Sequence, residues 1–165
     1  MAGIRQKASN RSTETFLFLA SLLLGFVFVY SANVHLSNPY NFLLHVYSYD
    51  VVSESLGFAV AALLPSMHLA IGIALLFFPN LRPFCFGAAT ALLFAFTAFQ
   101  LQAHLRGLNI ACGCFSNNTE DPITWVTIGR TATLLVIATL CCCLTWWKLK
   151  SKKDVNLISK GQTSS

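Results

Sequence analysis

Charge is what this chain has least of. Only 10% of its 165 residues are Asp, Glu, Lys or Arg, against about 25% in an average soluble domain. With 55% hydrophobic residues and a mean hydropathy of +0.62, that shortage excludes a soluble globular protein. No polar stretch is long enough to build a second core, so the length suits one domain. The catalytic signatures of phosphate-binding glycine loops, HExxH metal helices and nucleophile elbows are all missing. Acidic residues are few (six), basic ones number eleven, and the excess is confined to the ends. Arg5, Lys7 and Arg11 precede the first apolar run; Lys148, Lys150, Lys152, Lys153 and Lys160 follow the last. Basic flanks of this kind orient helices in a bilayer, and a nucleic-acid partner is not expected.

What is present is four apolar runs, at residues 16–34, 56–78, 84–105 and 123–147. Each is close to the roughly 20 residues a helix needs to cross a bilayer. The expected fold is therefore an all-α membrane protein, a four-transmembrane-helix bundle. The first run is longer than the apolar part of a signal peptide, about 7–15 residues, and lacks a small-x-small cleavage site, so it reads as a retained helix. Residues 1–15 read as a loosely ordered basic tail, 16–147 as the membrane domain, and 148–165 as a basic, disordered tail. Residues 40–49, rich in tyrosine, suit a short helix at the membrane–water interface. Pro65 predicts a kink in the second run.

Four crossings put both termini on one side. Both tails and the turn at Arg82 are basic, whereas the other two loops hold Arg106 against Asp50, Glu54, Glu120 and Asp121. The positive-inside rule places the termini in the cytoplasm and the 35–55 and 106–121 loops outside. The expected location is a bacterial inner membrane, crossed several times, with the lipid bilayer as the first partner.

That topology sorts the six cysteines. Cys85, Cys141, Cys142 and Cys143 fall near the cytoplasmic ends of their spans, where thiols stay reduced and behave as small apolar side chains. Cys112 and Cys114, in the stretch RGLNIACGCFS at 106–116, alone face the oxidising side. A disulfide between i and i+2 closes a small, strained ring even with Gly113 as a hinge. Such a bond closes almost no loop and stabilises little, and strain makes it labile. The pair therefore reads as an exchanging dithiol, with a static disulfide or two free thiols as the plain alternative. A Cu(I) or Zn site on Cys112, Cys114 and His104 competes, without an evident fourth ligand. Around the thiols, Arg106 and Arg130 could favour a thiolate or an anionic quinone species. His68, deep in the second span, is an intramembrane ionisable group and a site candidate on that ground, or simply a neutral histidine bonded within the bundle. His104, His68 and Arg130 thus form the expected thiolate or quinone environment.

These residues resemble a known family. CGCF after Arg106-Gly107, with Trp125 and Arg130 in the next span, is similar to the MauE membrane proteins of methylamine utilisation. Asn38-Pro39 with Phe42, and Leu64-Pro65 with Gly72, look like the same family, and the resemblance covers roughly residues 16–147. It implies a four-helix membrane fold related to the DoxX group and more distantly to vitamin K epoxide reductase. It also implies Cys112 and Cys114 as a redox pair that supports disulfide formation in exported proteins. From the outward placement of the pair, a thioredoxin-like periplasmic partner and a quinone in the helix bundle are the expected exchange partners. His68 stands where the family commonly has an acidic residue, His35 near where it has a basic one, and Ser116 where glycine usually follows CGCF. A non-catalytic assembly or scaffold protein and a small Cu/Zn carrier are the competing functions.

Overall fold

The computed structural model describes residues 2–48, 54–107 and 124–162. Among them there are five α-helices and no strand: α1 Ala2–Ser37, α2 Pro39–Ser48, α3 Glu54–Phe77, α4 Arg82–Leu105 and α5 Trp125–Gln162. A 3-10 turn, Pro79–Leu81, joins α3 to α4. Four of the helices are long and apolar enough to cross a membrane, through Arg11–Ser37, Gly57–Phe77, Pro79–Leu105 and Trp125–Ser151. The expected four-helix bundle is present.

The bundle is two antiparallel hairpins. In the first, α1 packs along α3. In the second, α4 packs along α5 in a steady register: Phe84 meets Trp146, Gly87 faces Cys142, and His104 meets Trp125. Its polarity is the reverse of a soluble protein's. Phe26, Leu63, Phe94 and Leu140, one from each spanning helix, are largely exposed on the outside. Ser21, Ser31, His35, His68, Gln100, Thr131 and Thr145 are buried inside. An apolar exterior around polar interior groups is what a lipid solvent selects. The hydroxyls keep their hydrogens satisfied within their own helices: Ser21 Oγ donates to Leu17 O (2.8 Å), Thr131 Oγ1 to Thr127 O (3.1 Å), and Thr145 Oγ1 to Cys141 O (2.8 Å).

The first span is the centre of the assembly. It is 44% buried over its most apolar window, against 22–28% for the other three. Its inward stripe is Leu17, Ala20, Ser21, Leu24, Phe28, Ser31, Ala32 and His35, the i, i+3, i+4, i+7 spacing of one helix face. At its crossing with α3 the backbones approach closely. A Cβ on Gly72 would lie 3.0 Å from Gly25 O and 3.0 Å from Val29 N, and one on Gly25 would lie 2.7 Å from Leu76 Cγ. Only glycine at both positions permits this contact, the small-residue packing that membrane helices use.

The short helix expected at residues 40–49 is α2, with Pro39 at its first position, where a missing N–H costs nothing. It packs against α3, and the Tyr47 ring lies over Gly57 so closely that a methyl there would overlap it. Pro65 stands inside α3, which stays helical on both sides of it.

Three expectations are corrected. The tail at 1–15 is helical from Ala2, continuous with the first span. The tail expected to be disordered after residue 147 continues α5 to Gln162. Both extensions propagate from a span already nucleated, and neither contains proline. His35, assigned to a loop because apolar character ends at Val34, is inside α1 and buried. Near the terminal end, Lys148 Nζ pairs with Glu14 Oε1 at 2.6 Å, tying α5 to α1. Half-exposed pairs of this kind add little. The Arg82 guanidinium lies 5.8 Å from the Phe18 ring centre. Cys85, Cys141, Cys142 and Cys143 are free thiols.

Candidate functional site

Two regions carry chemistry: the end of the bundle where α4 stops and α5 starts, and the interior around His68.

At the first, α4 ends at a left-handed glycine. Gly107 has φ +67°, and its N–H donates to His104 O at 3.0 Å while Arg106 N–H donates to Gln102 O at 3.1 Å. This is the glycine-terminated helix end that satisfies the last carbonyls. Among the described residues no atom would meet a Cβ at Gly107, so what its positive φ asks of the residue here is conformational. Gly107→Ala is expected to lower stability by about 1 kcal/mol and Gly107→Val by more, with Gly107→Asn the mildest. Thermal unfolding in detergent gives that order, and equal behaviour of all three would refute it. Beside this cap the His104 ring meets the Trp125 ring edge to face, 4.6 Å between centres. The segment carrying the dithiol therefore leaves and re-enters the bundle at one place. Cys112 and Cys114 themselves lie outside the described residues.

The interior site is built by three helices around one imidazole. Pro65 cannot donate a backbone hydrogen bond, and one turn on, His68 Nδ1 lies 2.8 Å from Leu64 O. A carbonyl only accepts, so Nδ1 carries the hydrogen. Phe28 of α1 stacks on the ring at 5.1 Å and Phe96 of α4 meets it edge-on at 5.5 Å. His35 approaches it edge-on, 6.3 Å between centres, and is itself held by Phe42 at 4.1 Å and by Ser31, whose Oγ is 3.3 Å from His35 Nε2. Beside His68 is a cavity of about 30 Å³ lined by Val27, Phe28, Ser31, Leu93, Phe96, Thr131 and Leu134.

The residues expected to surround one redox centre occupy three environments. His104 is at the bundle end, half-buried. His68 is buried inside. Arg130 is on the outward face of α5. Among the described residues no group of three or more His, Cys, Asp or Glu gathers as a metal site. Sequence reasoning missed Ser31, Thr131 and the pairing of His35 with His68. The available signal was helical spacing: Phe28, Ser31 and His35 fall on one face of a helix once α1 is carried past Val34.

A helical bundle crossing the membrane four times, polar inside and apolar outside, with a histidine pair in its interior, defines a multi-pass integral membrane protein of the inner-membrane type. The chain belongs to the MauE family. The sequence model of that family, described as methylamine utilisation protein MauE, matches residues 13–145. The methylamine utilization protein MauE of Paracoccus denitrificans is 33% identical over 123 residues, which is 74% of this chain and 66% of that protein. The chain thus spans just under two thirds of this relative's length. No solved structure matches.

Proposed function

We propose that this protein is a membrane maturation factor of the methylamine-utilisation type, which acts on exported proteins by thiol–disulfide exchange through Cys112 and Cys114. The observation that carries the reading is the tethering of the dithiol segment. Both its ends meet at the His104–Trp125 contact, and a fully extended chain from Leu105 to Cys112 reaches at most about 25 Å, which supports a dithiol kept near that end of the bundle. A dithiol held over one end of a membrane bundle works on proteins that reach that surface. With the basic tails in the cytoplasm, the surface is the outer one, where disulfides persist.

The exchange is balanced by its partner. A thioredoxin-like dithiol attacks the Cys112–Cys114 disulfide as a thiolate and forms a mixed disulfide. The partner's second thiol then releases it. Two electrons and two protons pass to Cys112 and Cys114, and the partner leaves oxidised. The described interior does not fit a quinone beside His68: about 30 Å³ is space for water-sized molecules, not for a six-membered ring. No step is drawn through a quinone there.

Mass-tagged alkylation by a membrane-impermeant reagent in intact cells tests this. External reductant is expected to expose both thiols to the tag and external oxidant to hide both. Labelling that never changes, or that requires permeabilised cells, would sink the exchange reading and leave a scaffold role in its place.

A further inference from the structure

The interior cavity has its own chemistry, separate from the thiols. We propose that it binds a water molecule that bridges His68 to Thr131 and Ser31, and so links His68 to His35 in one proton-conducting chain. Size comes first. The cavity measures about 30 Å³, and an enclosed water needs about 10–15 Å³ by the same measure.

Hydrogen-bonding capacity comes second. With Nδ1–H committed to Leu64 O, a neutral His68 presents Nε2 as a lone pair, and Nε2 has no protein partner among the described residues. Thr131 gives its hydrogen to Thr127 O and keeps its own lone pairs. A water at the cavity can donate one hydrogen to His68 Nε2 and the other to Thr131 Oγ1. It can also accept from Ser31, which meets the two to four partners that a buried water requires.

Ser31 makes the chain switchable. Its hydroxyl either donates to His35 Nε2, or accepts from a protonated His35 and donates to the water. Passing from the second arrangement to the first moves one proton from His35 Nε2, through Ser31 and the water, onto His68 Nε2. Nothing is oxidised or reduced. Among the described residues the groups around His68 leave it no competitor. On α1 the facing titratable group is His35; α4 presents Leu93 and Phe96; α5 presents Thr131 and Leu134, with Arg130 on the outer face. The site lies about 13 Å below the end of α1, counting from Ser37 to Phe28 at about 1.5 Å per residue, so the surrounding lipid supplies no alternative partner.

The test is solid-state NMR of the full chain, ¹⁵N-labelled at histidine, in phospholipid vesicles, with magnetisation transferred from water. The four histidines are assigned by single His→Gln variants. His68 is expected in the Nδ1–H form with strong transfer from water. Thr131→Val, equal in shape but without the hydroxyl, is expected to cut that transfer severalfold while His104 keeps its own. Ser31→Ala is the second variant, expected to weaken transfer at His68 and to change the His35 signal. An Nε2–H form of the neutral His68 ring, no water transfer in the parent protein, or transfer unchanged in both variants would each overturn the proposal. Thiol labelling reads neither quantity, so the two proposals fail separately.

Discussion

Gly72→Leu leaves almost no folded protein in the membrane, and Gly72→Ala already costs about 1–3 kcal/mol, the usual penalty of overpacking. The reason is what the new atoms meet. The first added carbon lies 2.8 Å from Val29 Cγ2 and 3.0 Å from both Gly25 O and Val29 N. Two of those three atoms are backbone and cannot swing aside, so α1 itself must move. That movement withdraws Phe28 and Ser31 from the face of His68 and opens the interior to lipid. Gly25→Ala is the control. Its added methyl meets chiefly the Leu76 side chain, at 2.7 Å and 2.9 Å, with Gly72 O further off at 3.2 Å. A leucine can change rotamer, so this variant is expected to lose less. Heat-induced aggregation of detergent-purified protein ranks the three variants. Gly25→Ala proving worse than Gly72→Ala would mean that the crossing is not set by these backbone contacts.

The second large effect concerns the dithiol. Changing either Cys112 or Cys114 to serine is expected to reduce maturation of exported partners to the level of cells lacking the protein. The two single variants should nonetheless behave differently toward partners. Whichever substitution keeps the cysteine that bonds to the partner leaves a lone thiolate that attacks an oxidised partner's disulfide, the exchange run in reverse, and with no second cysteine in this chain to complete that exchange the mixed disulfide persists. That variant accumulates a covalent complex with a thioredoxin-like protein, visible without reductant and lost with it. The other accumulates none. Full maturation by the double Cys112→Ser, Cys114→Ser variant would remove thiol exchange from the protein's role. Protein abundance, measured alongside, separates loss of the thiols from loss of the fold.

The bundle was legible because lipid imposes a coarse code. Runs of about 20 uncharged residues leave few alternatives to a spanning helix, and the tyrosines of residues 40–49 announced α2. Hydropathy, however, reads solvent and not hydrogen bonding. It ended the first helix at Val34, whereas the structure carries it to Ser37 because His35 is wedged between Phe42 and His68 and bonded to Ser31. On composition the first tail was read as loosely ordered and the last as disordered, yet a helix once started needs only the absence of breakers to continue. His68 was legible as an ionisable group at mid-span. Thr131 was not: Thr127, Thr133 and Thr139 share its helix, and only the packing of α5 against α1 turns this one into the cavity. Arg130, expected beside the thiols, is exposed on α5 one step round from Thr131; the thiols themselves lie outside the described residues. The CxC pair came from spacing and compartment, and lies outside the described residues.

The most deeply enclosed helix is also the first of the four spans to be synthesised. When α1 leaves the ribosome, the serines and histidine that will later be covered by α3 have nothing to cover them. Translation from Ser37 to Phe77, at about 5–20 residues per second, takes on the order of seconds. During that interval α1 would sit in hydrocarbon with its polar stripe bare. The insertion machinery must therefore shelter the nascent segment until its antiparallel mate arrives, or release the two as a preassembled pair.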